Sequence, residues 1–229
     1  MERSVNIRGD PWFRSLMTQP AKSRASGRTL PRSFYDRDPR TVARELLGKM
    51  LVRRKRGRQI AGRIVEVEAY LGQDDPAAHV FAGRTPRNQV LFGPPGHAYV
   101  YFIYGNHYCL NVSCMPEGQA GSVLIRALEP VAGLEQMAKR RKVAKEQLGS
   151  ERARKLLTSG PGRLSEAFGI TRARDNGKDV TAAGSDLRIE DDGNRPEKIA
   201  TGPRVGITKA VEERLRYVIE GNPFVSAVR

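Results

Sequence analysis

Within the run Arg63-Ile64-Val65-Glu66-Val67-Glu68-Ala69-Tyr70, two carboxylates and a phenol recur at every second position. Side chains alternate along an extended chain, so Val65, Val67 and Ala69 share one face and suit a core, while Glu66, Glu68 and Tyr70 share the other. A carboxylate so placed can orient a water molecule and accept its proton. The same pattern also describes an ordinary amphipathic strand with a solvated acidic face, or acids that serve as salt-bridge partners for nearby arginines. The run by itself leaves these readings open.

A second cluster is aromatic: Tyr99, Tyr101, Tyr104 and Tyr108 fall within ten residues. By parity Tyr99, Tyr101 and Ile103 share one face and Val100, Phe102 and Tyr104 the other. Gly105-Asn106 is a turn-forming pair, which puts Tyr104 at a hairpin tip. Well-packed aromatic sheets are common, but rigid rings with polar ends also suit stacking on bases. Charge bears on the choice. The 229 residues include 40 Lys and Arg against 25 Asp and Glu, a net charge of +15 at pH 7. Such a chain attracts polyanions with a strength that falls as salt rises. Basic surface with exposed aromatics points to nucleic acid, though it names no reaction.

The elements that must position these residues follow from local signals. Asp38-Pro39 reads as an N-cap and first-turn proline, Val42 and Leu46 recur at helical spacing, and Gly48 stands at a helix end. Strands are expected over 50–53, 59–70, 99–104, 108–112 and 123–128, with a cationic turn at Arg56-Gly57-Arg58 and loop chemistry over 72–97. Helices are expected over 131–148, 151–158 and 163–168, and late strands near 204–207 and 215–220. Strands joined by short turns, with helices grouped afterwards, predict an α+β fold: a single domain with a curved, largely antiparallel sheet, helices around it and a protruding β-hairpin.

Residues 1–33 hold seven basic and two acidic residues among Ser, Gly, Pro and Thr, a composition that buries little. They are expected to be a disordered basic tail, with the folded domain spanning 34–229. The start lacks the apolar stretch of a secretory signal, while its Arg- and Ser-rich character also fits an organellar transit peptide. No apolar run approaches the roughly 18 residues of a membrane-spanning helix. Cys109 and Cys114 are too few and too awkwardly spaced for a disulfide framework. With His107 they lack a second ligand pair for zinc. They are read as reduced thiols of an intracellular protein without metal.

From Ser33 onward, the blocks RIVEVEAYLGQDDPAAH, GRTPRNQVLFGPPGHAYVYFIYG, HYCLNV, VLIRALEP, LTSGPGRLSEAFGI, GPRVGI and GNPFVS follow in order. Together they strongly resemble the alkyladenine (3-methyladenine) DNA glycosylase family. The resemblance implies a monofunctional enzyme of base excision repair that hydrolyses the N-glycosidic bond of an alkylated purine flipped out of duplex DNA, because the reacting carbon is out of reach inside the stack. It places water activation on Glu68, assisted by Arg126 and the carbonyl of Val205. A carboxylate there also favours the cationic sugar that develops in the transition state. Tyr70 and His79 would line one face of the flipped base and Tyr101 the other, with a cation–π component for a charged lesion. A structural histidine, hydrogen-bonded within the 72–82 loop, is the other reading of His79. Asn111 would crowd the exocyclic amino group of normal guanine.

Tyr104 would fill the space left in the duplex after flipping. Asn106 departs from the methionine usual in relatives after the hairpin glycine, and a polar residue there should wedge less well. Arg84, Thr85 and Arg87 are expected to contact phosphates. Ser159-Gly160-Pro161-Gly162-Arg163 reads either as a second anion site or as a plain interhelical turn. No lysine matches a Schiff-base position, so strand cleavage is not expected. The implied partner is double-stranded DNA containing damaged purines, met by a monomer without metal, organic cofactor or membrane. The expected location is the cytoplasm, with the nucleoid, in a bacterium, and the nucleus or an organelle in a eukaryote. A non-catalytic nucleic-acid-binding protein of the same fold is the alternative. A zinc deaminase would need a paired-cysteine motif that the chain lacks.

Overall fold

Alternating residues of Arg58–Tyr70 are apolar, and this stretch becomes a 13-residue strand on which the other strands assemble. In the computed structural model, which describes residues 27–103 and 105–227, the strands are Arg28–Thr29 (β1), Met50–Lys55 (β2), Arg58–Tyr70 (β3), Ala98–Ile103 (β4), His107–Cys114 (β5), Gly121–Ala132 (β6), Leu187–Asp191 (β7), Ile199–Gly202 (β8) and Arg216–Ile219 (β9). They form one nine-stranded antiparallel sheet in the order β1-β7-β2-β3-β6-β5-β4, with β9 joining β3 to β8. The helices are Arg32–Tyr35 (α1), Pro39–Leu46 (α2), Leu134–Arg141 (α3), Glu151–Thr158 (α4), Pro161–Phe168 (α5) and Arg172–Asp175 (α6). The fold is α+β, as the order of elements predicts. The cap expected for α2 is present: the Asp38 carboxylate accepts the Arg40 N–H at 2.8 Å, with Pro39 in the first turn.

One face of the sheet packs against the helices. Val42 and Leu46 of α2, Leu157 of α4, and Leu164 and Phe168 of α5 join Val67, Ala69, Val100, Leu110 and Ile125 in the main core. The other face of the β4–β5 hairpin contributes Tyr99, Tyr101 and Cys109 to a second cluster with Leu91 and Phe92, which gives the alternation read from the sequence. Among the described residues no helix is long and apolar enough to cross a membrane.

Besides a shift at Ala61/Gly62, the pairing of β3 with β6 slips beside the two acids. Pairing with β6 passes from Ile64↔Leu128 to Glu66↔Ala127 and then to Val67↔Ile125, so Val65 and Arg126 are left without partners in the ladder. This bulge turns Val65 away from Val67 and Ala69 and into a separate cluster with Ala127 and Phe224. The expected common face of Val65, Val67 and Ala69 is corrected accordingly. The solvated acidic face is corrected too, because Glu66 and Glu68 are both fully buried.

Three further expectations change. The single helix over 131–148 is instead the end of β6 and the shorter α3, followed by a 3-10 turn at Lys145–Gly149. Gly133 starts α3 at φ +74, and Lys142 ends it with φ 53. Residues 204–207 are not a strand, and the late strands are β7, β8 and β9. The 204–207 backbone is diverted by side chains, as described below. Residues 27–33 belong to the fold rather than to a tail. Leu30 is buried, its N–H reaches the Ile189 carbonyl at 2.9 Å, and Arg32 pairs with Asp179. Composition over the whole basic segment hides these few anchored positions. Residues 1–26 lie outside the described residues.

Gly72, two residues past the end of β3, admits no side chain. Its φ is +102, and a Cβ there would meet the Ala120 carbonyl oxygen at 2.2 Å. Gly72→Ala is therefore expected to destabilise the fold by about 2 kcal/mol, seen as a drop of several degrees in Tm by thermal melting. An unchanged Tm would refute the close approach.

Candidate active site

The neighbouring acids Glu66 and Glu68 reach the same guanidinium from β3. Arg126 lies across from them on β6, at its irregularity. Its Nε donates to Glu66 Oε1 at 2.8 Å and its Nη1 stands 3.2 Å from Glu68 Oε1. Around this shared cation the two acids have different company. Glu66 also receives Arg216 Nε at 2.8 Å, the Ser226 hydroxyl at 2.8 Å and the Ser226 N–H at 2.6 Å. Burial pushes the Glu66 carboxyl up, but Arg126, the Ser226 donors and Arg216 outweigh it and hold the group below the usual glutamate range. Glu68 receives the Val205 N–H on Oε1 at 2.7 Å and the Tyr70 hydroxyl on Oε2 at 3.0 Å. There burial wins over Arg126 and the two donors, with Glu66 adding repulsion, and the Glu68 carboxyl is raised. Burial and Glu68 also push the Tyr70 phenol well up, so it stays a proton donor.

Above this pair opens a cavity of about 840 Å³, a size suited to a small-molecule or nucleobase ligand. Tyr70, His79, Tyr101, Asn111, Arg126 and Val205 all border it. The structure thus brings together every sequence-predicted pocket residue. Glu68 itself lies beneath the floor, covered by Tyr70, Arg126 and Val205. Val205 meets it through its amide N–H, whereas the sequence expectation concerned its carbonyl.

The aromatic wall departs from the expected sandwich. His79 stands at 83° to Tyr101 with ring centroids 4.5 Å apart, and its Nδ1 is 3.1 Å from the Tyr99 hydroxyl. A base between two rings needs two stacking distances of about 3.5 Å each. His79 and Tyr101 are instead in edge-to-face contact, so a base lies between them only after the imidazole moves. Burial and Arg87 lower the His79 pKa and keep the ring neutral. Asn111 donates from Nδ2 to Ser122 Oγ at 3.0 Å, and its Oδ1 has no partner among the described residues.

Arg84, Thr85 and Arg87 are exposed on one loop, and Asn106 is exposed at the hairpin turn. Tyr104 lies outside the described residues. Ser159 and Gly160 join α4 to α5 and, with Pro161 to Arg163 of its first turn, border the cavity; the Gly160 N–H is on the Arg126 carbonyl at 3.0 Å. Among the described residues no group of three His, Cys, Asp or Glu side chains is arranged to hold a metal.

Sequence reasoning missed the residues that fasten the loops. Asn88 donates to the His79 and Gly83 carbonyls at 2.9 and 3.0 Å and accepts the Thr85 N–H at 2.7 Å, which shapes the Arg84–Arg87 loop. Arg204 is fully buried, pairs with Asp75 through two nitrogens and donates to the Ala69 carbonyl at 3.1 Å. Its guanidinium also sits 4.8 Å from the Tyr70 ring centroid. This anchor holds residues 204–205 beside Glu68 and explains why they do not extend as a strand. The only available signals were the Arg of GPRVGI and the second Asp of QDDP, neither of which names its partner.

A model of the family described as methylpurine-DNA glycosylase (MPG) matches residues 33–223. The chain belongs to this family. A relative from Koribacter versatilis, named "Putative 3-methyladenine DNA glycosylase", is 59% identical over 210 residues, covering 92% of this chain and 99% of the relative. Relatives with the same name from Methanoculleus marisnigri and Clostridium acetobutylicum are 48% and 46% identical over 202 and 210 residues, covering 86% and 87% of this chain and 98% of each relative. The chain is therefore a DNA glycosylase, a hydrolase of N-glycosyl bonds.

The glycosylase's buried Asp75–Arg204 pair makes a measurable claim. Replacing Asp75 with Asn strands a buried guanidinium and is expected to cost about 3 kcal/mol, a fall in Tm of roughly 6–12 °C for a chain of this size. Burial pushes the Asp75 carboxyl up, but Arg204 and the N–H groups of Leu71 and Ala77 outweigh it and hold the group below the usual aspartate range. Its stabilisation is then full above the unfolded aspartate value and is lost as pH falls through the lower folded value. Acid titrations of wild type and Asp75→Asn should differ there, and superimposable curves would contradict the pairing.

Proposed function

We propose that this chain releases methylated purines such as 3-methyladenine from duplex DNA, by hydrolysis of the bond between the base and a nucleotide flipped into the cavity. The observation that carries the reading is the split between two adjacent carboxyls. Glu66 is held low and Glu68 raised, and only Glu68 touches three groups that border the cavity. Neighbouring acids whose environments push them apart have separate roles in acid–base chemistry. Glu68 is the base.

In this reading Tyr70 yields its hydrogen bond when a base stacks on its ring, which uncovers Glu68 Oε2. A water held there attacks C1′ of the sugar, its proton passes to Glu68, and the electron pair of the C1′–N bond leaves with the purine. A cationic methylated purine becomes neutral as it departs, so it needs no proton donor, and an abasic site remains. The exposed Arg84 and Arg87, the latter 6.0 Å from the Tyr101 ring centroid, would contact the phosphates. Asn111, fixed by Ser122, crowds the exocyclic amino group of guanine.

Glu68→Gln is expected to keep its affinity for methylated duplex DNA while single-turnover base release falls by about 10²-fold or more; near wild-type release would remove Glu68 from the reaction. Asn111→Ala is expected to raise release of guanine from undamaged DNA, measured as abasic sites. No increase over wild type would remove Asn111 from base selection.

A further inference from the structure

Glu66 has no place in the water-activating step, yet its carboxylate accepts four hydrogen bonds beside the cavity. Four donors from three separate stretches of chain converge on it: Arg126 and Arg216 by their Nε atoms, and Ser226 by its hydroxyl and amide. The bulge that leaves Val65 unpaired packs that side chain on Phe224, which brings the 222–226 segment over β3 and seats Ser226 on Glu66. An ordinary buried acid needs one partner, and a solvated one needs none. This acid instead occupies the Nε of the same guanidinium that presents Nη1 to Glu68.

We infer that Glu66, braced by Arg216 and Ser226, is a positioning residue for the reaction proposed above: it fixes Arg126 and shares its charge, so that Arg126 orients Glu68 without neutralising it as a base. This inference rests on Glu68 being that base. Two acids and two arginines balance in the buried group. Without Glu66, both guanidinium charges would fall to Glu68 alone, and a fully paired carboxylate is a poor proton acceptor. The raised Glu68 and lowered Glu66 carboxyls agree with this division. The charged and titratable groups facing Glu68 are Arg126 from β6, Arg216 opposite it on β9, Arg204 beside Val205, Glu66 and Tyr70 on its own strand, and Cys109 from β5. Glu66 and Arg216 can be changed without removing a residue that borders the cavity.

The sign works out in opposite directions for the two. Glu68 must be ionised to accept a proton, so release rises as pH climbs through its pKa. Glu66→Gln removes a negative neighbour and leaves Arg126 to Glu68, which lowers that pKa. Arg216→Gln removes a positive neighbour and raises it.

The test is the pH profile of single-turnover purine release from methylated duplex DNA, whose cationic purines leave without protonation, so that only the acidic limb is read. Expected results are an acidic limb about one pH unit lower in Glu66→Gln, with a reduced plateau, and a higher limb in Arg216→Gln. Thermal melting and DNA affinity identify which variants are folded, and either folded variant alone suffices. A merely structural Glu66 lowers the rate evenly across pH, so limbs that stay at the wild-type position, or move in the same direction, overturn the inference. Failure of the wild-type protein to release any methylated purine counts instead against the proposed function.

Discussion

The guanidinium of Arg126 bridges two carboxylates that have lost all contact with solvent, and the site is arranged around the cost of keeping those charges there. Removing an ion from water costs several kcal/mol, which only close, well-oriented partners offset. Glu66 and Glu68 meet that condition with Arg126 and Arg216 and with donors from Tyr70, Val205 and Ser226. The ladder irregularity between β3 and β6 is part of the same solution. By leaving Val65 and Arg126 out of register it frees the arginine to lie across both acids and turns Val65 toward the segment that carries Ser226.

Strands β4, β5 and β6 supply much of the cavity wall, and where the backbone beside it has no regular structure, buried side chains fasten it. Backbone groups outside a ladder or helix still need partners, and Asp75, Asn88 and Glu66 supply them. Asp75 accepts the Leu71 and Ala77 N–H groups while gripping Arg204. Asn88 closes the loop that exposes Arg84 and Arg87. The strong positive charge of the chain therefore sits outside a centre whose own charges are balanced.

The aromatic residues show the same economy. Arg204 lies on one side of the Tyr70 ring and Arg87 stands 6.0 Å from the centroid of Tyr101. Each of these π systems is thus already shared with a guanidinium.

Much of this was legible in the chain itself. The alternation of Glu66, Glu68 and Tyr70, the opposite faces of Tyr99 and Val100, the turn at Gly105-Asn106 and the cap at Asp38-Pro39 are properties of near neighbours, and local sterics and hydrogen bonding set them. The ordered motifs carried the family and named residues that border the cavity. Sequence could not show that both acids are buried, that their protonation is driven apart, that His79 leans on Tyr101, or that residues 204–205 are held out of the sheet. Those outcomes depend on partners 60 to 160 positions away, such as Arg126 and Ser226 on Glu66, and on Asp75 reaching Arg204 across 129. A charge pattern says which groups need partners. Only the folded sheet, with its slipped pairing between β3 and β6, decides which partners they find.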